Sequence, residues 1–200
     1  MIRKSQPAEP HGVAGAVLGW LMLALNRGDN ERALQLLDVH PDDHILEVGC
    51  GPGQLIELLE DRVHQGYVAG IDLSEVMVQQ AQRLNARHIA TRLVEVSQGT
   101  VSQLPFEAEM FDKIVSVHSF QFWPAPHHDL QEVKRVLRPG GVLVLVLRRL
   151  RRSNKAAAEV NGIAKAYPNN DLHALKAALY AAGFAQVDIV GDKDVIAIRP

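Results

Sequence analysis

A short apolar run that ends beside an acid and then breaks into glycines constrains this chain more than any other stretch. It reads Ile45-Leu46-Glu47-Val48-Gly49-Cys50-Gly51-Pro52-Gly53. The run predicts a buried strand over 45–48, and Gln54 to Leu59 predicts a helix directly after the turn. Glycine takes backbone angles that other residues avoid and lets a ligand approach the main chain. A strand, a glycine turn and a helix in that order build a ligand cradle at the carboxyl edge of a sheet. The spacing narrows the choice. Dinucleotide folds use G-x-G-x-x-G, whereas here the third glycine comes one residue early and follows Pro52. No lysine followed by Ser or Thr is present in the turn, which excludes a P-loop.

The next strand arrives on schedule. Tyr67-Val68-Ala69-Gly70-Ile71-Asp72 is apolar and ends in an acid, so Asp72 stands where a carboxylate accepts two hydrogen bonds from a ribose diol. Ser74 suits the N-cap of a helix over 75–87, which leaves Asp72 for the ligand. Further strands are expected over 92–96, 113–118 and 142–147, then 184–190 and 194–198. The helix before the fifth strand is expected over 129–137, and Asp171 caps a helix over 172–182. Strands alternating with helices imply parallel pairing through right-handed crossovers.

With these segments in place the chain resembles a known family. The 45–53 stretch, Gly70-Ile71-Asp72-Leu73-Ser74, Leu104-Pro105-Phe106 leading to Phe111-Asp112, and Leu137-Arg138-Pro139-Gly140-Gly141 together resemble a class I S-adenosylmethionine-dependent methyltransferase. The likeness is to the small bacterial branch related to ubiquinone/menaquinone C-methyltransferases, and it covers roughly residues 30–200. It implies an α/β, Rossmann-like, doubly wound sheet of seven mostly parallel strands, the last antiparallel, with helices on both faces. It implies one methyltransferase domain over 1–200, with an N-terminal helical lid (1–40) on a core (41–200).

The resemblance also implies S-adenosylmethionine as cofactor and assigns its neighbours. Gly49, Cys50, Gly51 and Gly53 form the wall beside the methionine portion, and Glu47 orients that loop or meets the ammonium. Asp72 holds the ribose, Leu73 and Met77 flank the adenine, and Thr100 and Val101 sit at its edge. Relatives commonly carry an acid at the position of Thr100, whose neutral hydroxyl makes a weaker bond. His118, at the end of the fourth strand, meets the cofactor and is the candidate base, with a main-chain contact and a packed ring as the alternative. Phe120, Phe122 and Trp123 are candidates for the substrate pocket, with packing beneath the loop as the alternative. His127 and His128 are expected to open an exposed helix.

Composition closes several routes. With 47% hydrophobic and 22% charged residues the chain is globular, and a net charge of -2 gives no general attraction to nucleic acid or anionic membrane. One cysteine permits no internal disulfide and fits no metal spacing, so a cytoplasmic setting is expected and no metal. Cys50 reads as packing rather than as a nucleophile. The apolar run Gly12 to Leu25 is too short to span a bilayer. It reads as a lid whose face shares Val13, Val17, Trp20, Leu21 and Leu25, and a membrane-surface role is disfavoured by a nearly uncharged polar face. The basic cluster at 148–155 is a solvated face or an attractor of anionic substrate or headgroup. The absence of Asn-Pro-Pro-Tyr disfavours methylation of DNA bases. The expected partner is a small-molecule methyl acceptor. Two other classes stay open: an NAD-dependent oxidoreductase, and a non-catalytic binding or regulatory protein of the same fold.

Overall fold

The computed structural model describes residues 12–147 and 171–200. The chain begins with α1 (Gly12–Leu25) and α2 (Arg27–Leu37), then enters β1 (His44–Val48). There follow α3 (Gln54–Glu60), β2 (Tyr67–Asp72), α4 (Glu75–Leu84), α5 (Ala86–Ile89), β3 (Val94–Gln98) and β4 (Phe111–Val117). A 3-10 turn (Phe120–Phe122) leads to α6 (Pro126–Val136) and β5 (Leu137–Val146). After the interval that includes the basic cluster at 148–155, which lies outside the described residues, come α7 (Leu172–Ala181), β6 (Gln186–Val190) and β7 (Asp194–Ile198).

The seven strands form one sheet in the order β3-β2-β1-β4-β5-β7-β6. The pairs from β3 through β5 are parallel, and β7 runs antiparallel to both β5 and β6. This is the expected class, with the expected last strand. Apolar residues alternate between the two faces, as a pleated strand requires. On β5, Leu143 and Leu145 join the core beneath α6 and α7, whereas Val144 and Val146 join the core beneath α2, α3 and α4. Burial on both faces is why these strands read as unbroken apolar runs.

The strand order reverses between β1 and β4. From β1 the chain steps outward to β2 and β3, then returns to lay β4 on the other flank of β1. Crevices at such a switch point, beyond the carboxyl ends of the strands, are where open α/β sheets bind ligands.

Several boundaries differ from the sequence expectation, each for a local reason. β3 starts at Val94 rather than at 92 because Arg92 turns the chain at φ 63°. The expected helix over 75–87 stops at Leu84, where Asn85 donates its amide to the carbonyls of Gly53 (3.1 Å) and Ala81 (2.8 Å). α6 opens at Pro126 rather than at Asp129, with proline in the first turn, where its missing N–H costs nothing. Asp129 is instead buried and accepts from Ala125 N (2.9 Å) and Ser102 Oγ (2.7 Å). β5 follows α6 without a loop and carries Pro139-Gly140-Gly141 within its first half. β4 starts two residues early, at Phe111, and β6 two residues late, at Gln186. His127 and His128 are exposed in the first turn of α6, and Asp171 caps α7 through the amides of His173 and Ala174.

Candidate functional site

The turn after β1 is hooked onto the end of β2. The amides of Gly49 and Cys50 both donate to the Ile71 carbonyl, at 2.8 and 2.9 Å. The Gly51 amide donates to Asp72 Oδ2 (2.8 Å), and the Ser74 amide donates to Asp72 Oδ1 (2.9 Å). Asp72 is therefore not idle before a ligand arrives: its carboxylate clamps the two loops together. Each oxygen keeps a second lone pair, so a diol can still be accepted. Burial pushes the Asp72 carboxyl above the usual range, and the Ser74 and Gly51 amides pull it back. Ser74 caps α4 as expected, its hydroxyl accepting from Met77 N at 3.3 Å.

Gly49 is required by a close approach. Its φ is 76°, and a β-carbon there would lie 2.4 Å from Ser119 Cβ and 2.5 Å from Ser119 Oγ. Ser119 fills that place because its hydroxyl donates to the Val48 carbonyl (2.6 Å), lies 2.6 Å from Ser116 Oγ and accepts from Trp123 Nε1 at 3.4 Å. The loop after β4 is thereby stitched to the end of β1, across the switch point.

A cavity of about 270 Å³ opens at this crevice, near the lower end of the range of roughly 300–1,000 Å³ usual for small-molecule sites. From the loops after β1, β2 and β3 and from α4 the lining takes Gly49, Gly51, Asp72, Leu73, Met77, Thr100 and Val101. It also takes Leu18, Leu21, Met22 and Leu25 of α1, and His118, Phe122 and Trp123 from the segment after β4. α1 sits close because Gly19 packs on α4: a β-carbon there would lie 1.9 Å from Gln80 Oε1. Gln54 helps hold the helix by donating to the Leu23 carbonyl at 2.9 Å.

Four predicted site residues are not on the cavity wall. Gly53 caps α3 at φ 85° and presses against Ala81 of α4. Cys50 is buried in the core with Ile56 and Gly70, and burial raises its thiol. Phe120 is 4% exposed and packs edge-to-face on Trp123 at 4.9 Å. Of the three aromatics it takes the packing role, whereas Phe122 and Trp123 reach the cavity. Glu47 is buried behind the turn, and its Oε2 has no hydrogen-bond partner among the described residues. Burial and then the neighbouring Asp72 hold the Glu47 carboxyl well above its ordinary range.

Two features had no sequence signal. His118 adopts φ 55° and its Nε2 lies 2.9 Å from Asp29 Oδ2 on α2. Asp29 also contacts Lys193, so it ties α2 to both the end of β4 and the β6–β7 turn. Thr100 is likewise engaged, its hydroxyl accepting from Ser102 N at 3.3 Å and its backbone bridging to Gln103.

These residues fit a cationic, diol-bearing nucleoside. Asp72 has lone pairs for the diol, and the orphaned Glu47 Oε2 is a buried acceptor lacking a cation. Leu73, Met77 and Val101 offer an apolar slot for a base.

The comparisons with known proteins agree. Residues 46–145 match the family model described as a methyltransferase domain. The uncharacterized methyltransferase YdaC of Bacillus subtilis is 30% identical over 131 residues, which are 66% of this chain and 70% of that protein. A demethylmenaquinone methyltransferase of Desulfitobacterium hafniense is 32% identical over 130 residues, 64% of this chain but 51% of the relative. The chain thus spans about half the length of that enzyme. Among solved structures, a SAM-dependent methyltransferase from Aquifex aeolicus superposes with a TM-score of 0.71 at 22% identity, covering 92% of this chain and 96% of that one. At that identity the likeness speaks for the fold.

Proposed function

The chain belongs to the class I S-adenosylmethionine-dependent methyltransferases, and from that membership we propose that its acceptor is a small, largely apolar molecule held between α1 and the 118–124 loop. The observation that supports this most is the division of the cavity. The glycine turn and the Asp72 carboxylate come from the loops after β1 and β2, and apolar side chains come from α1 and from Phe122. The bound cofactor supplies a methyl group on a positively charged sulfur, open to in-line displacement. The protein then has to align and to exclude water.

Each residue does part of that work. Asp72 accepts the ribose hydroxyls while its amide bonds keep the turns in register. Gly49 and Gly51 bring main chain to the methionine portion, and buried Glu47 balances the ammonium, directly or through one water. Leu73, Met77 and Val101 enclose the adenine. The Thr100 hydroxyl already accepts from Ser102 N, so it meets the adenine edge with its remaining lone pair, a neutral and weaker acceptor than a carboxylate, beside the main chain of Val101. Asp29 orients the His118 imidazole, which is the arrangement for proton uptake from an acceptor that loses one. Among the described residues, Asp72 and His118 are the titratable groups on the cavity wall.

Calorimetry on the purified chain tests the donor site. S-adenosylmethionine is expected to bind and NAD is not. Asp72→Ala is expected to weaken the former at least tenfold, since it removes a charge-assisted pair of acceptors and frees both turns. Binding of NAD alone would overturn the donor assignment, and an unchanged affinity in the variant would remove the ribose role. Formation of S-adenosylhomocysteine with a panel of apolar small molecules, against water-soluble amines, tests the acceptor class. Turnover with the amines alone would refute it.

A further inference from the structure

The first helix is built inside out. Gly15 and Gly19 face the protein and are buried, whereas Val17 (63% exposed), Trp20 (72%), Leu21 (52%) and Leu25 (63%) face solvent. With Ala24 these positions recur at helical spacing and form one continuous outer stripe. α1 carries no charged residue in its fourteen positions. Four large side chains exposed to that degree make a patch on the order of 500 Å², at the upper end of what a soluble monomer shows without using it.

The stripe is continuous with the cavity mouth. Leu21 and Leu25 belong to both, and the exposed Leu73 (47%) and Pro124 line the same cavity. An apolar path therefore leads from the outer surface of α1 into the acceptor wall. We propose that this stripe docks on a lipid surface, with α1 lying along it and the cavity mouth turned toward it. An apolar acceptor then enters from the lipid phase rather than from water. The docking rests on the stripe alone; the entry of an acceptor rests also on the methyl-transfer reading.

Two considerations favour lipid over a second protein copy. A stable protein interface needs about 800 Å² from each partner, more than the stripe offers. A protein seated there would also cover Leu21 and Leu25 and seal the mouth, whereas fluid acyl chains would not. The usual objection, that an interfacial helix needs a charged outer face, does not apply. The second face of α1 is occupied by α4 and the cavity, so the protein body stands where headgroups and water would otherwise be. Trp20, an indole at the edge of such a patch, is the residue type that settles at a membrane boundary. No helix among the described residues is long enough to cross a membrane, so the contact is peripheral.

The test uses the full chain with vesicles of pure phosphatidylcholine. Trp20 and Trp123 are its two tryptophans, and Trp123 is 3% exposed. On adding vesicles, emission is expected to shift to the blue and to be quenched by brominated acyl chains. Trp20→Phe, which leaves Trp123 as reporter, is expected to abolish both changes. Cosedimentation is expected to persist at about 0.5 M salt, because the stripe is uncharged. Trp20→Glu is expected to lower partitioning at least tenfold. Its S-adenosylmethionine affinity and far-UV spectrum stay at wild-type values, since Trp20 is not on the cavity wall. Failure of the folded wild type to bind would overturn the proposal. So would binding lost at high salt, or a concentration-dependent dimer that shields Trp20. Loss of S-adenosylmethionine binding in the wild type would instead sink the methyl-transfer reading and leave the docking standing.

Discussion

Replacing Gly49 by alanine tests the geometry of the switch point, because two separable penalties fall on one methyl group. The first is conformational. Position 49 sits at φ 76°, and an L-residue in left-handed backbone costs about 1–2 kcal/mol. The second is steric. The new methyl would lie 2.4 Å from Ser119 Cβ, against the ~3.5–4.0 Å at which carbons attract. A β-carbon cannot rotate away, so the Ser119 backbone has to move by about 1 Å. That movement strains hydrogen bonds to Val48 O and Ser116 Oγ, both at 2.6 Å. Each is worth about 1 kcal/mol net. The expected loss is about 3–4 kcal/mol, a large share of the 5–15 kcal/mol of an ordinary domain.

Urea unfolding of four proteins separates the penalties: wild type, Gly49→Ala, Ser119→Gly and the double variant. Ser119→Gly alone forfeits the hydroxyl bonds and costs about 2 kcal/mol. In the double variant the steric part vanishes and the conformational part remains, so the total is expected near 3–4 kcal/mol rather than the sum of the singles. A coupling of about 2 kcal/mol follows, well above the ~0.3–0.5 kcal/mol scatter of independent sites. Strict additivity would refute the claim that the loop after β4 fills the space the glycine leaves. A loss below 1 kcal/mol for Gly49→Ala would refute the whole argument.

Two more predictions concern protons. Glu47 is held above its ordinary range by burial and then by Asp72; a cationic cofactor beside it favours the carboxylate, so binding releases a proton and tightens as pH rises. Calorimetry at about pH 6 in phosphate and in imidazole, two buffers of different ionisation heat, should give different apparent heats, a difference that Glu47→Gln removes; equal heats in the wild type would exclude the linkage. Glu60, raised to about 7 chiefly by burial and next by Glu57 and Asp61, binds its proton more tightly folded than unfolded. Its stabilising contribution is full below the usual carboxylate range and is lost as pH rises through about 7. Glu60→Gln should therefore flatten the urea midpoint between about pH 5 and pH 8 and be the more stable form at the upper end; parallel slopes would count against it.

What the sequence made legible was local. β1 and β2 announce themselves because strands buried on both faces are dominated by apolar residues, and Ser74 and Asp171 cap helices through amides two or three residues away. The hidden contacts join residues far apart in the chain. Asn85 holds the Gly53 carbonyl, Asp29 holds His118, and Ser119 holds Val48, and nothing near any of these in sequence marks the partner. The aromatic cluster divides for a geometric reason. A 3-10 turn advances three residues per revolution, so Phe120 and Trp123 eclipse and pack together while Phe122 points elsewhere. Thr100 reads as an open acceptor in the sequence because its own competitor, the Ser102 amide, becomes an acceptor's partner only once the loop has closed.

The two walls of the cavity are held by different physics. On the proposed reading the donor side is main chain tied to β2: Gly49, with the buried Cys50 behind it, on Ile71, and Gly51 on Asp72, which the Ser74 amide also holds. Moving any of these breaks hydrogen bonds that tie the turns to the end of β2, so substitutions there carry a fold penalty. On the same reading the acceptor side is the apolar side chains of α1, seated by Gly19 on α4 and by the bond from Gln54 to Leu23. Leu18, Met22 or Leu25 can change volume there without touching a strand hydrogen bond. If the proposed assignment holds, the fold fixes the methyl donor stringently and leaves the acceptor to one helix. It also explains why the glycine turn and Asp72 are readable from sequence, while the acceptor has to be sought along α1 and at the surface it presents.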